Sequence, residues 1–527
     1  MGEVNKFIWL FGENRGNTAN NNSYYFWKNV VNIRDEINKF IVFDRNEHTL
    51  NVYNNLTDYE KKFVVWKNTA KHFELYYLSD LIFVSLSFRD VVPQKLWDNS
   101  DFTLTKSLIH LNHGTTGIKK IGYNGKSYWN NLFRYITYNP QELINNNGFA
   151  EYQLKYVEYP PRYCELIKKD EAQKDKNQIL WFLTWREYFE LGYNVEPFIK
   201  SVNNVLKSED LIDYLKNNDL LLKVCVHQFF DEEIFSDIYK SEKKGLIEII
   251  HSKNIDLMDE FVKSKLLITD YSSVGYDFTF LNRPVLLYQS DLDIYNKTRG
   301  FYCDFNELNE NNITDDKILV DTIIHENYYI NPFFRKIFPD VIDYEYVKSS
   351  RNILNLYDYL VEIQRNKLTI LGLNFYEHSN VVSSTMKLAE NLLKLDYLVE
   401  VVSIFHSKRK FALPFGLNCK ELKNYSNFKE RRFNFWDNKK NSYLKYEYNN
   451  DRFNPGTSKC IEKFIKDINS KTIISTTFST NLFLDDCSFD DFKKLVDTKQ
   501  EQFKDNPDNF TYCRNVNGYR FTEGEFC

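Results

Sequence analysis

Short apolar runs punctuate the first third of the chain, at 7–11, 40–43, 81–85 and 108–111, with a fifth at 156–159. Each spans four or five residues and is followed by polar or helical spacing. Short, unbroken apolar runs of this kind fit strands buried on both faces, as in a parallel sheet flanked by helices. They predict one doubly wound α/β lobe over residues 1–170.

The segment KKDEAQKDKNQ at 168–178 carries a single alanine as its only apolar residue and reads as a surface connection between lobes. The pattern then restarts with runs at 179–183, 220–226, 266–269 and 284–288, separated by helical stretches such as 209–216. This predicts a second lobe over 175–360, facing the first across a cleft, with ligands beyond the carboxyl ends of the strands. A third start follows over 366–527. LTILGLNF (368–375) reads as a strand, and 383–397 as a helix with Met386, Leu388, Leu392, Leu393 and Leu395 on one face, capped by Ser383 or Ser384. Strands at 398–405 and 471–476 complete a partial αβα unit.

Composition narrows the class. The 527 residues are 43% hydrophobic and 27% charged, with 37 Tyr and 43 Phe, as in a folded globular chain of several domains. A formal net charge of -5 argues against a dedicated nucleic-acid binder. Eight cysteines at irregular spacing offer no zinc pattern and suit reduced, buried thiols in the cytosol. The 7–11 run is too short for a membrane span, and Asp80 interrupts the longer run at 78–88. Gly2 is a poor myristoylation signal, because position 6 is Lys. The acidic groups Asp231–Glu232–Glu233 and Asp315–Asp316 read as surface, so no metal is implied.

The sharpest candidate for chemistry is KLLITDYSSVGYDFTFLNRPVLLY at 265–288. A strand ends in Asp270, then Ser272 and Ser273 stand where a helix begins, with Asp277 within it. Hydroxyls, free backbone N–H groups and the helix dipole converge there, which suits a phosphate. An ordinary N-cap explains one serine but not the run. In LIHLNHGTTGIKKIG (108–122), His113 follows a strand and suits a general base. Gly114 lets backbone approach a ligand, and Thr115, Lys119 and Lys120 follow. A turn histidine is the bland alternative. Arg162, stiffened by Pro160 and Pro161, and Arg186 both follow strands and suit phosphate oxygens, or else salt bridges. His227 ends the run LLLKVCVH, and Arg299 with Gly300 sits on a loop placed to close over a donor.

Together these segments resemble the CDP-glycerol glycerophosphotransferase family, the teichoic-acid primases and polymerases of bacteria. The block Thr269–Ser273, then Tyr276–Phe278, then Arg283–Pro284 carries most of the resemblance. His113, Gly114, Thr115, Lys119 and Lys120 match a second motif. The loop Tyr159–Arg162 lacks the family's glycine, and Leu183 replaces a proline before Thr184 and Arg186. GENRGNTANNNSYYFW (12–27) resembles the opening of the catalytic region, and the likeness spans about residues 8–345.

The resemblance implies two Rossmann-like lobes in a GT-B-like arrangement. It implies transfer of a polyol phosphate from CDP-glycerol or CDP-ribitol to a lipid-linked or growing polymer, with CMP released. The catalytic residues would be His113 as acceptor base and His227. The donor would meet Arg162, Arg186, Asp270, Ser272, Ser273, Asp277 and Arg299, with Ser272, Ser273 and His227 on its pyrophosphate. Gly114, Thr115, Lys119 and Lys120 would lie on the acceptor side. No further cofactor is implied. Lipid-linked acceptors imply work at the cytoplasmic face of the membrane, where SKRKF (407–411) offers a headgroup contact. A nucleotide-sugar transferase and a non-catalytic scaffold remain the alternatives. The region from Leu368 onward, through GLNFYEHSN (372–380), is similar to the N-terminal lobe of retaining GT-B glycosyltransferases.

Overall fold

The computed structural model describes residues 7–98, 104, 106–115, 117–120, 132–138, 149, 153–157, 159–227, 229–230, 236–243, 245–304, 307–308, 312–372, 389–403, 418–421, 472–475 and 512–513. The first sheet contains β1 (Phe7–Gly12), β2 (Ile37–Phe43), β3 (Val64–Trp66), β4 (Leu81–Val84), β5 (Ser107–His110), β6 (Leu132–Thr137) and β7 (Leu154–Tyr156). They lie in the order β3-β2-β1-β4-β5-β6-β7, all parallel.

Alternate residues of β1 feed two apolar layers. Trp9 and Phe11 join Phe26 and Phe83 on one face, with Phe11 and Phe83 stacked at 4.2 Å. Leu10 joins Val42, Ile82, Val84 and Leu108 on the other. Both faces of the strand are therefore buried, which is why it reads as an unbroken apolar run. Helix α1 (Asn22–Val30) covers the first face, and its Trp27 Nε1 donates to the Lys39 carbonyl at 3.0 Å.

Helix α2 (Tyr163–Ala172) leads to the second sheet. The predicted surface connection at 168–178 is thus corrected in its first half, which forms the last turns of this helix. Its polar face bonds across to other helices, as Lys169 does to Asp259 at 2.5 Å, so lack of apolar residues did not mean lack of structure. The second sheet holds β8 (Gln178–Leu183), β9 (Leu221–Val226), β10 (Ile247–His251), β11 (Ser264–Thr269), β12 (Val285–Tyr288) and β13 (Asn312–Ile313). Their order is β10-β9-β8-β11-β12-β13, again all parallel. Helix α3 (Val274–Phe280) follows β11 and is buried along its whole length.

Both sheets reverse their strand order once, between β1 and β4 and between β8 and β11. Loops on either side of such a point diverge to opposite faces and leave a crevice at the carboxyl ends of the strands. Helix α4 (Arg351–Arg365) then crosses back to the first lobe. Its Gln364 accepts from Trp9 Nε1 at 3.0 Å, Asn352 donates to the Tyr159 carbonyl at 2.9 Å, and Arg365 pairs with Glu36 at 2.6 Å.

A third sheet contains β14 (Leu368–Gly372), β15 (Val399–Ser403), β16 (Asn418–Glu421), β17 (Thr472–Ser475) and β18 (Tyr512–Cys513). Its order is β16-β15-β14-β17-β18, parallel except at β18. Buried Lys367 ties this unit to the first lobe through Asp80 at 2.8 Å and Glu400 at 3.4 Å. The expected helix at 383–397 is helical over 389–394, and 383–388 lies outside the described residues, as do the central positions of GLNFYEHSN, all of SKRKF and Asp231–Glu233. Among the described residues no helix is long and apolar enough to cross a membrane, and no group of three His, Cys, Asp or Glu side chains is placed to hold a metal.

Candidate active site

The first-lobe wall of the cleft is built on the ends of β1, β4 and β5. Just past β1, buried Glu13 accepts from the backbone N–H groups of Asn20 at 2.7 Å, Asn21 at 3.0 Å and Tyr24 at 3.1 Å, and so folds the asparagine-rich segment onto the start of α1. Asp90 does the same after β4, accepting from Leu86 N–H at 2.8 Å and Arg15 N–H at 2.9 Å. Gly12 is required between them, because a Cβ there would stand 2.4 Å from the Asp90 carbonyl oxygen.

The loop after β5 is fixed from beneath. Asn112 adopts a left-handed φ of 54°, a conformation that asparagine tolerates better than most residues. Its amide donates to Tyr135 Oη at 2.8 Å, while its carbonyl accepts from buried Asn22 at 2.9 Å. Its side-chain oxygen takes the His113 N–H at 2.8 Å. This delivers the His113 side chain, solvent-exposed, to the cleft. Partial desolvation by the surrounding loops, with the Arg162 and Lys119 cations, lowers its pKa to about 4. The ring is open to water on its cleft side, and the downward direction follows from the cations as well as from the desolvation. His113 is therefore neutral at pH 7, the state a proton acceptor needs.

The second-lobe wall lies on the ends of β8, β9 and β11. Ser272 and Ser273 stand between β11 and α3 as expected. Ser273 occupies the cap position without making a side-chain cap bond, so the ordinary capping explanation does not account for it. Ser272 Oγ accepts weakly from Val274 N–H at 3.4 Å. Gly275 lets Phe334 pack against the helix start, since a Cβ there would stand 2.2 Å from its ring. His227, just past β9, is half-buried beside Phe229 and Trp185, at 5.0 and 6.4 Å between ring centres. Burial, with the Lys119 charge, lowers its pKa to about 4.

The two walls touch. Gly114 faces Ser273, and a Cβ on Gly114 would stand 2.9 Å from Ser273 Oγ. Arg162 Nη2 pairs with Asp277 of α3 at 2.6 Å, while its Nη1 donates to the His113 carbonyl and to Asn21 Oδ1. Arg162 thus holds the histidine loop against the serine helix. Thr115 is buried beneath this contact. Arg299 pairs with Glu187 of its own lobe, and its Nε donates to the Lys120 carbonyl at 2.6 Å.

Two expected donor ligands have other work. Arg186 is 1% exposed and sandwiched between Asp270 at 2.7 Å and Asp291 at 2.6 Å, with the Phe198 ring 3.9 Å from its guanidinium carbon. Asp270, equally buried, also accepts from the Thr184 N–H and hydroxyl and from Tyr271 N–H. The polar groups of Arg186 and Asp270 are thus taken up by one another, by Asp291 and by loop backbone. They brace the loops after β8 and β11 because a buried charge must be paired and bonded. Asp291, Glu13, Asp90 and Asn22 were not singled out in the sequence. The signal available was an acidic or amide side chain one to ten residues past a strand end, which is common in loops.

Residues 3–357 match the model of the family described as CDP-Glycerol:Poly(glycerophosphate) glycerophosphotransferase. The chain is 23% identical over 396 residues to the minor teichoic acid biosynthesis protein GgaB of Bacillus subtilis (strain 168), covering 69% of this chain and 40% of that protein. It is 28% identical over 244 residues to the teichoic acid glycerol-phosphate primase of the same organism, covering 44% of this chain and 58% of that one. A solved structure of the wall teichoic acid polymerase TagF aligns with 68% of this chain and 90% of its own, at 17% identity and a TM-score of 0.46. The alignments thus span between about a third and three fifths of the first curated relatives. With the family model covering its first two lobes, the chain belongs to the CDP-glycerol:poly(glycerophosphate) glycerophosphotransferase family.

Proposed function

We propose that the chain transfers a polyol phosphate, glycerol or ribitol phosphate, from a CDP-linked donor to a hydroxyl of a lipid-linked or growing cell-surface polymer, and releases CMP. The observation that carries this reading is the meeting of Gly114, the residue after His113, with Ser273 across the cleft. A neutral base on one wall faces a hydroxyl-lined helix start on the other.

In this reading the acceptor hydroxyl attacks the phosphorus next to the polyol. His113 takes its proton. The bond from that phosphorus to the bridging oxygen breaks, and CMP leaves with the electron pair. The hydroxyls of Ser272 and Ser273 at the α3 start hydrogen-bond the donor diphosphate, and His227 stands beside it. Arg162 and Asp277 act by holding both walls in register, and Arg299 by joining the rims. Lipid-linked acceptors would put this work at the cytoplasmic membrane face.

The test is incubation with a panel of CDP-glycerol, CDP-ribitol and UDP-sugars, with an acceptor polymer, while nucleotide release is followed. CMP release with one CDP-polyol supports the reading and names the polyol. UDP release would make the protein a sugar transferase. Nucleotide binding without turnover would make it a scaffold.

A further inference from the structure

Lys119 differs from the arginines of the cleft in its company. Arg162 is paired with Asp277, Arg186 with Asp270 and Asp291, and Arg299 with Glu187. Among the described residues Lys119 has no ion-pair or hydrogen-bond partner for its ammonium; Asp270 and Glu187 act on it only at a distance.

Its backbone explains how it comes to stand there. Lys119 pairs antiparallel with Phe301 of the second lobe. Tyr302 N–H donates to the Ile118 carbonyl at 2.8 Å, and Lys120 N–H to the Gly300 carbonyl at 3.1 Å. The preceding Gly117 lies so close to Tyr276 that a Cβ would stand 2.1 Å from its hydroxyl. A segment of the first lobe is thereby stitched onto the second. The lysine it carries lies within electrostatic reach of both His113 and His227 and of the β11 end at Asp270.

We infer that Lys119 binds the transferred phosphoryl group of the donor, the phosphate next to the polyol, rather than the acceptor. This rests on the reading proposed above. An ammonium within electrostatic reach of two neutral imidazoles, with no carboxylate in contact, gains most from an anion bound beside the histidines. Enclosure and the Arg299 charge hold its pKa below the ordinary lysine value, and a bound phosphate would reverse that. The nucleotide's own phosphate stays on the leaving CMP, so the two phosphates are distinguishable by ligand.

Isothermal titration of the wild type, Lys119→Met and Lys119→Arg with CDP, CMP, UDP and UMP provides the test. The wild type should bind CDP more tightly than CMP. Lys119→Met should weaken CDP about 10–100-fold and CMP little, so that the preference disappears. Lys119→Arg should restore part of it. Unchanged CDP binding in Lys119→Met, or an equal loss for CDP and CMP, would overturn the assignment. Should the methionine variant fail to fold, Lys119→Gln gives the same comparison. If the uridine pair binds in place of the cytidine pair, the CDP-donor reading fails, while the diphosphate-to-monophosphate ratio still reports on Lys119. Failure of all four nucleotides to bind would overturn both.

Discussion

Arg162 Nη2 stands 2.6 Å from Asp277 Oδ1, and this buried pair joins the loop before α2 in one lobe to α3 in the other. The same guanidinium bonds the His113 carbonyl, so the position of the base and the grip between lobes depend on one side chain.

Breaking such a pair leaves a buried charge uncompensated. Arg162→Ala or Asp277→Ala should each cost about 3–5 kcal/mol in chemical denaturation, and the double variant much less than their sum. Additive losses would show that the two residues act separately.

Arg186 separates a structural from a donor-binding role. Because it pairs with two buried carboxylates, Arg186→Ala should lower the unfolding midpoint sharply in the absence of any nucleotide. A variant of normal stability with weakened CDP binding would return Arg186 to the donor site.

His113 and the serines should divide their effects. His113→Ala should cut turnover about 10²–10⁴-fold while leaving donor affinity nearly intact. Replacing Ser272 and Ser273 together with Ala should weaken donor binding. With the His113 pKa lowered to about 4, the acid limb of kcat/KM should fall below the ordinary 6.5, and activity should persist to about pH 5. An acid limb at or above 6.5 that vanishes in His113→Ala would contradict the lowered value.

His72 provides a pH test away from the cleft. Its Nδ1 accepts from Asn68 N–H at 3.0 Å, and its Nε2 lies 2.8 Å from the Val91 carbonyl, which fixes the neutral tautomer. Burial lowers its pKa to about 4. The unfolded chain therefore binds a proton that the folded chain refuses. Stability is full above pH 6.5 and is lost as pH falls toward 4, by about 3 kcal/mol at the limit. Melting scans of wild type and His72→Gln should show a shallower acid slope in the variant, and equal slopes would refute this role.

The sequence disclosed those parts of the molecule whose physics is local. Strands β1 and β4 are unbroken apolar runs, and β9 and β11 are apolar apart from Lys223 and the Ser264–Lys265 start, so each was legible. The strand β6 was not, because buried Arg134 interrupts it. That arginine is satisfied by Asp396, 262 residues away, which no local pattern reports. The edge strand β10 alternates buried and half-buried positions and was missed as well. At the site, His113, Ser272 and Ser273 stand where their strand ends implied. Arg186 and Asp270 resembled phosphate ligands by type, yet their partner Asp291 comes from another loop. Lys119 reads as an acceptor-side residue in the sequence, and its backbone pairing with Phe301 of the second lobe is long-range and invisible to local pattern.

The central claim is that a phosphate moves with the polyol. It is tested most directly by a CDP-polyol donor carrying radioactive phosphorus only in the phosphate next to the polyol, incubated with enzyme and acceptor. The account predicts that the label appears in the polymer while the released nucleotide is unlabelled CMP. Label retained in released CDP, with the polyol transferred alone, would contradict it.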